Sequence, residues 1–156
     1  MKLWTLAVLP LLAIAPAFAQ NAQLEANKKL AMRFFNDNIF ANPEKLDDVI
    51  HPDYIQHNPV FARFNEDNHV SGRDGLKKFL AGRAQANQGK KQGPPPAPPT
   101  PPTRIVTSEG DLVTVIASRQ SMDKDGKPYT SWWFDMWRVK DGKLYEHWDG
   151  ALLPNQ

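Results

Sequence analysis

The chain of 156 residues contains no cysteine. An oxidising compartment is therefore tolerated, but no disulfide supports the fold, and stability has to come from a packed core. Charge of one sign is missing as well: 19 Lys and Arg stand against 17 Asp and Glu. Basic residues are scattered, adjacent in pairs at most, so the clustered excess that marks phosphate binding is absent and nucleic acid is not expected as a partner. No His-x-x-x-His pair is present, so no metal site is expected, and neither a glycine-rich phosphate loop nor a Gly-x-Ser-x-Gly elbow occurs. "SGRDG" at 71–75 is too short a match to mean more than a helix start.

Long apolar runs are confined to the N-terminus. Lys2 precedes "LWTLAVLPLLAIAP", and "AFA" at Ala17–Ala19 places small residues where signal peptidase reads. This is the pattern of a secretory leader, with cleavage expected after Ala19. A membrane anchor is the alternative, but the run is short for a span of about 20 residues and no stop-transfer charges follow. The expectation is a periplasmic or secreted protein, free of the membrane after cleavage, whose residues 20–156 form a single domain.

The first half of the mature chain reads as helical. From Leu24 to Phe40, residues Leu24, Ala31, Phe34, Phe35 and Ile39 fall near one stripe, with Lys28, Lys29, Arg33 and Asp37 off it. "NPEKLDDVI" starts a short second helix, with Asn42 as N-cap and Pro43 in the first position. "DYIQHNPVF" is a brief strand or extended segment stopped by Pro59. A third helix is expected from about Arg73 to a stop near Gly89, burying Leu76, Phe79 and Leu80. "QGPPPAPPTPP" then holds seven of the 14 prolines; the loop at 93–102 is a polyproline II spacer, either stiff surface chain or a docking segment for a grooved partner.

From Thr103 the period changes to two. "TRIVTSEG", "DLVTVIASRQSM", "KPYTSWWFDMWRVK" and "KLYEHWDGALL" read as four strands joined by glycine-bearing turns. Helices followed by an antiparallel meander define an α+β domain with helices on one face of a curved sheet.

On the tryptophan-rich strand, alternation places Trp133, Asp135 and Trp137 on one side and Trp132, Phe134, Met136 and Arg138 on the other. Both sides are largely apolar, so both should be covered, one by helices and the other by a second subunit. An acid so placed loses hydration, which disfavours its charged form. Such a group can take a proton from carbon beside a carbonyl. Pairing with Arg138 or Arg63 would make it structural instead. His57 and His147 are the candidate acids, bases or hydrogen-bond donors beside it; His51 and His69 are expected in solvent.

"YIQHNP" (54–59), "SGRDGLKKFL" (71–80), "EGDLVTV" (109–115) and "FDMWRVKDGKLYEHWD" (134–149) together resemble the SnoaL-like polyketide cyclase group of the nuclear transport factor 2-like (NTF2-like) superfamily. The resemblance implies a cone: N-terminal helices packed on a strongly curved antiparallel sheet, an internal pocket, and dimerisation through the sheet. It implies aldol-type ring closure without metal or cofactor, with Asp135 as the proton-transfer acid and His57 brought to the pocket. Tyr54, Asn58, Phe34, Trp133, Trp137, His147 and Trp148 would bind a small hydrophobic or aromatic carbonyl ligand. The sequence departs from the pattern in two places: Ile116 and Ala117 stand where cyclase-like members often carry a histidine, and the proline run looks like an insertion. A non-catalytic small-molecule-binding module, or an interaction surface built on the sheet face and proline run, are the competing readings on the same fold.

Overall fold

The structure is a computed structural model that describes residues 14–37, 39, 42–87 and 104–151. The proline-rich run and most of the expected leader lie outside the described residues. Helix α1 (Ile14–Asn36) is followed by a 3-10 turn (Pro43–Lys45) and the single-turn helix α2 (Leu46–Val49). Strand β1 (Ile50–Gln56), helices α3 (Pro59–Asn68) and α4 (Gly72–Asn87), and strands β2 (Arg104–Glu109), β3 (Leu112–Met122), β4 (Pro128–Lys140) and β5 (Lys143–Asp149) complete the order. The strands form one open sheet in the order β1-β5-β4-β3-β2.

The four later strands pair antiparallel as consecutive hairpins, as their alternation and turns predict. The β4–β5 turn needs two left-handed residues, and Asp141 (φ 51) and Gly142 (φ 70) supply them. Strand β1 joins the edge beside β5 in parallel, with an irregularity between Ile50 and Ile55. Pro52 lies inside that irregular stretch, where its missing N–H interrupts no ladder bond.

Helix α1 turns Asn27, Ala31 and Phe34 inward, spaced four and three residues apart. Asn27 ties the helix to the β2–β3 turn by donating to the Gly110 carbonyl at 3.1 Å. With Ile39, Leu46, Val49 and Ile50, Ala31 and Phe34 pack on Val113, Val115, Trp137 and Leu144 of the sheet. Each fully buried large apolar side chain contributes about 1.5–3 kcal/mol. Helix α3 was not anticipated. Asn58 caps it, accepting from the Val60 and Phe61 amides at 3.0 and 3.4 Å, and Pro59 takes the first position. The start of α4 abuts β1 so closely that a Cβ on Gly72 (φ +60) would lie 2.4 Å from the Pro52 carbonyl oxygen. Only glycine fits there.

Candidate active site

Helices and sheet enclose a cavity of about 360 Å³ between β1, β3, β4, β5, α1, α3 and α4. Strand alternation fixes what enters it. On β4, Trp133 and Asp135 face the cavity, and Trp137 follows in phase. On β5, His147 and Asp149 face it, and on β1 and its extension Tyr54, Gln56 and Asn58 do. Phe34 and Phe35 of α1, with Phe61 and Phe79 of α3 and α4, form an apolar wall.

Asp135 is 5% exposed and His147 4%. Asp135 Oδ1 accepts two N–H bonds, from Trp133 Nε1 at 3.1 Å and from His147 Nε2 at 3.1 Å. The direction of the second bond follows from the outer partners. The Asn58 amide donates to Gln56 Oε1 at 3.2 Å, which fixes that side chain so that its Nε2 donates to His147 Nδ1 at 2.7 Å. A ring whose Nδ1 accepts carries its proton on Nε2 and presents it to Asp135. Trp137, opposite His147 in register, stacks on the imidazole at 4.6 Å and 5°. Phe34 and Phe35 pack in turn on Trp137. The imidazole is therefore held in its plane as well as in its tautomer.

Asp135 Oδ2 is different. It is buried and makes no hydrogen bond. Its nearest cation is Arg119, whose Nη2 lies 4.0 Å away and whose guanidinium sits 4.6 Å above the Trp133 ring. Asp149 accepts from Asn58 Nδ2 at 3.0 Å and from the Ala151 amide at 2.9 Å. Burial, and then the charges of Asp149 and Asp135, push the Tyr54 phenol well above its ordinary value, so it stays protonated.

Asp135, His147 and Asp149 offer ligand atoms within 4.8 Å of one another, the one such trio among the described residues. A metal would need the lone pair of His147 Nε2, the atom that here carries a proton. Freeing it requires moving the imidazole proton to Nδ1 and turning the Gln56 amide so that its oxygen accepts that proton. Within the trio His147 donates to Asp135, whereas Asp149 is held separately by Asn58 and the Ala151 amide.

Of the residues singled out in the sequence, Asp135, Tyr54, Asn58, Phe34, Trp133 and His147 line the cavity. Trp137 lies behind its wall, wholly buried. His57 and Trp148 are on the other face of the sheet, a correction that alternation explains: His57 follows Gln56, and Trp148 follows His147. There His57 stacks on Trp148 at 5.2 Å, and its Nε2 meets Glu146 Oε1 at 2.9 Å. Arg138 also belongs to that face, bridging Glu146 and Asp111 at 3.1 and 3.0 Å, so it does not pair with Asp135. His51, expected in solvent, is 9% exposed and accepts the Asp53 amide on Nδ1. Gln56, Asp149 and Arg119 went unnoticed in the sequence. Each could have been found by counting in twos from Tyr54, His147 and Val115.

A curved open sheet with helices over one face and a cavity between them defines the NTF2-like α+β class. Residues 32–147 match the SnoaL-like domain, and the chain belongs to that family. No curated protein matches the chain in sequence. Among solved structures, TerC co-crystallised with polyporic acid is similar at 22% identity and a TM-score of 0.50, over 81% of this chain and 92% of that one. A loop-truncated variant of IdmH gives 22% and 0.50, over 79% and 90%. An epoxide hydrolase of the LEH-like kind from M. tuberculosis gives 13% and 0.51, over 81% and 83%. These likenesses concern the fold.

Proposed function

We propose that this protein is a cofactor-independent proton-transfer enzyme, an aldol-type cyclase or isomerase acting on a small aromatic carbonyl compound. The observation that carries the reading is Asp135 Oδ2, a buried carboxylate oxygen without a partner on the wall of an aromatic cavity. Oδ2 takes a proton from the carbon beside the carbonyl. The C–H electron pair becomes the C=C bond of an enolate, and the carbonyl π pair moves to its oxygen. In cyclisation the enolate carbon attacks a second carbonyl of the same molecule, and the new alkoxide takes the proton back from Asp135. In isomerisation the proton returns to a different carbon. His147 and Trp133 hold Oδ1 throughout and so aim Oδ2.

The proposed setting is the periplasm or the medium, after removal of the leader. The proposed assembly is a homodimer through the outer sheet face, where Trp132 and Phe134 are 49% and 55% exposed. The test is deuterium exchange at the methyl group of 2-acetonaphthone, followed by NMR. Asp135→Asn should abolish the protein-dependent exchange; full exchange in that variant sinks the mechanism.

The second reading is a binding module that holds an aromatic ligand without converting it. It is favoured by Ala117, which stands where cyclase-like sequences often carry a histidine and is itself 6% exposed. Binding of aromatic ketones, read by tryptophan fluorescence, with no exchange at any pH would decide for the module.

A further inference from the structure

We propose that Arg119 is the catalytic residue that receives the negative charge of the enolate; this inference rests on the carbonyl chemistry proposed above. Arg119 follows Val113, Val115 and Ala117 in phase on β3, so its side chain enters the cavity from the rim and remains 48% exposed. Its guanidinium makes no hydrogen bond to any of the described residues. The Trp133 ring lies beneath it, with the guanidinium carbon 4.6 Å from the ring centroid. Its Nη2 lies 4.0 Å from Asp135 Oδ2, too far for a hydrogen bond. The fork of N–H donors and the bare carboxylate oxygen are therefore neighbours that leave each other's bonding capacity unused.

That separation suits the reacting unit. In an α-CH–C=O group the oxygen lies two bonds from the carbon that loses its proton. A base about 3 Å from the carbon and a donor about 3 Å from the oxygen can address both ends across such a gap. During the step the charge leaves Oδ2 and appears on the substrate oxygen, so one fixed cation faces it at the start and at the end. Arginine keeps its charge at any working pH, so the site needs no second titrating group for this task. Trp133 serves both partners: its N–H holds Oδ1, and its ring carries the guanidinium.

Tyr54 is the rival donor, because its phenol stays protonated and lines the same cavity. The test has two arms, both on the full chain. In the first, 2-acetonaphthone exchange is followed in Arg119→Met and Arg119→Lys. The methionine variant should lose about 100-fold in kcat with KM changed only a few-fold, and lysine should recover part of the loss. If Arg119→Met stays within about twofold of the parent while Asp135→Asn is dead, Arg119 has no such role and the carbonyl reading survives. Exchange that persists in Asp135→Asn, or is absent in the parent, sinks that reading and this inference with it.

The second arm needs no turnover. Asp135→Asn mimics the protonated base, and 4-nitrophenol mimics the enolate through its coloured anion. Adding Arg119→Met should lower the ionisation constant of the bound phenol about tenfold. If Tyr54→Phe produces that fall and Arg119→Met does not, the charge is received by the tyrosine and the proposal is overturned.

Discussion

Gln56 donates to Nδ1 of His147 at 2.7 Å, and through that bond the edge strand sets which proton faces the buried carboxylate. The arrangement predicts one tautomer. In ¹⁵N-resolved NMR, His147 should show a protonated Nε2 and an unprotonated Nδ1 at neutral pH. A signal with the proton on Nδ1 would show that the chain of donors from Asn58 to Asp135 runs differently. Gln56→Leu should leave a mixture of tautomers and lower exchange activity while the cavity walls keep their place.

Trp133→Phe removes one of the two N–H donors on Asp135 Oδ1. Loss of a donor to a buried charged group should cost about 1–3 kcal/mol in denaturant unfolding. No change in midpoint would mean that the indole N–H is as well solvated without the carboxylate.

Trp137→Ala empties the space behind His147, which the indole now fills completely. Unfolding should become easier by about 3–5 kcal/mol. Exchange activity should also fall, because the imidazole loses the face that keeps it in plane. Retention of full activity at a temperature where the variant is folded would show that stacking does not position the ring.

Two acid–base limits follow from shifted groups. The hydrogen bond with His57 first, and then Arg138, hold the Glu146 carboxyl below its ordinary value of 4.5, against the opposing effect of burial. A lowered folded-state value means stability that is present above about pH 4.5 and is lost as pH falls through the lowered value. Glu146→Gln should flatten that acid limb of the unfolding curve. Tyr54 has the opposite sign. Its folded-state value is raised above 10, so its contribution is full below pH 10 and is lost as pH climbs through the raised value. Tyr54→Phe should flatten the alkaline limb.

The outer sheet face yields a further expectation. With Trp132 and Phe134 both changed to Glu, sedimentation should report a monomer where the parent is a dimer, with little change in unfolding midpoint because both side chains are half-exposed. A monomeric parent removes the proposed assembly.

The sheet and the inward turn of Asp135 were legible because strand alternation has a period of two and the hairpin turns carry glycine. The inward face of α1 was legible from its Ala31–Phe34 spacing. Helix α3 was missed although Asn58-Pro59 repeats the Asn42-Pro43 signal, which upstream starts a 3-10 turn and a single helical turn. The segment buries a single residue, Phe61, so its apolar face is faint. The family resemblance of the "YIQHNP" block placed His57 at the pocket, whereas counting in twos from Tyr54 leads to Gln56 and Asn58. What the sequence does not contain is the parallel seating of β1 on β5. That long-range register brings Gln56 to His147 and Asn58 to Asp149, and with it the proton order of the site.

Among the described residues of helix α1, Asn27 is the first that is buried, and residues 19–22 are exposed. A peptidase cutting after Ala19 would leave Asn27 and the buried positions that follow it in the chain. An expression clone starting at Gln20 would therefore carry every residue that the structure shows buried.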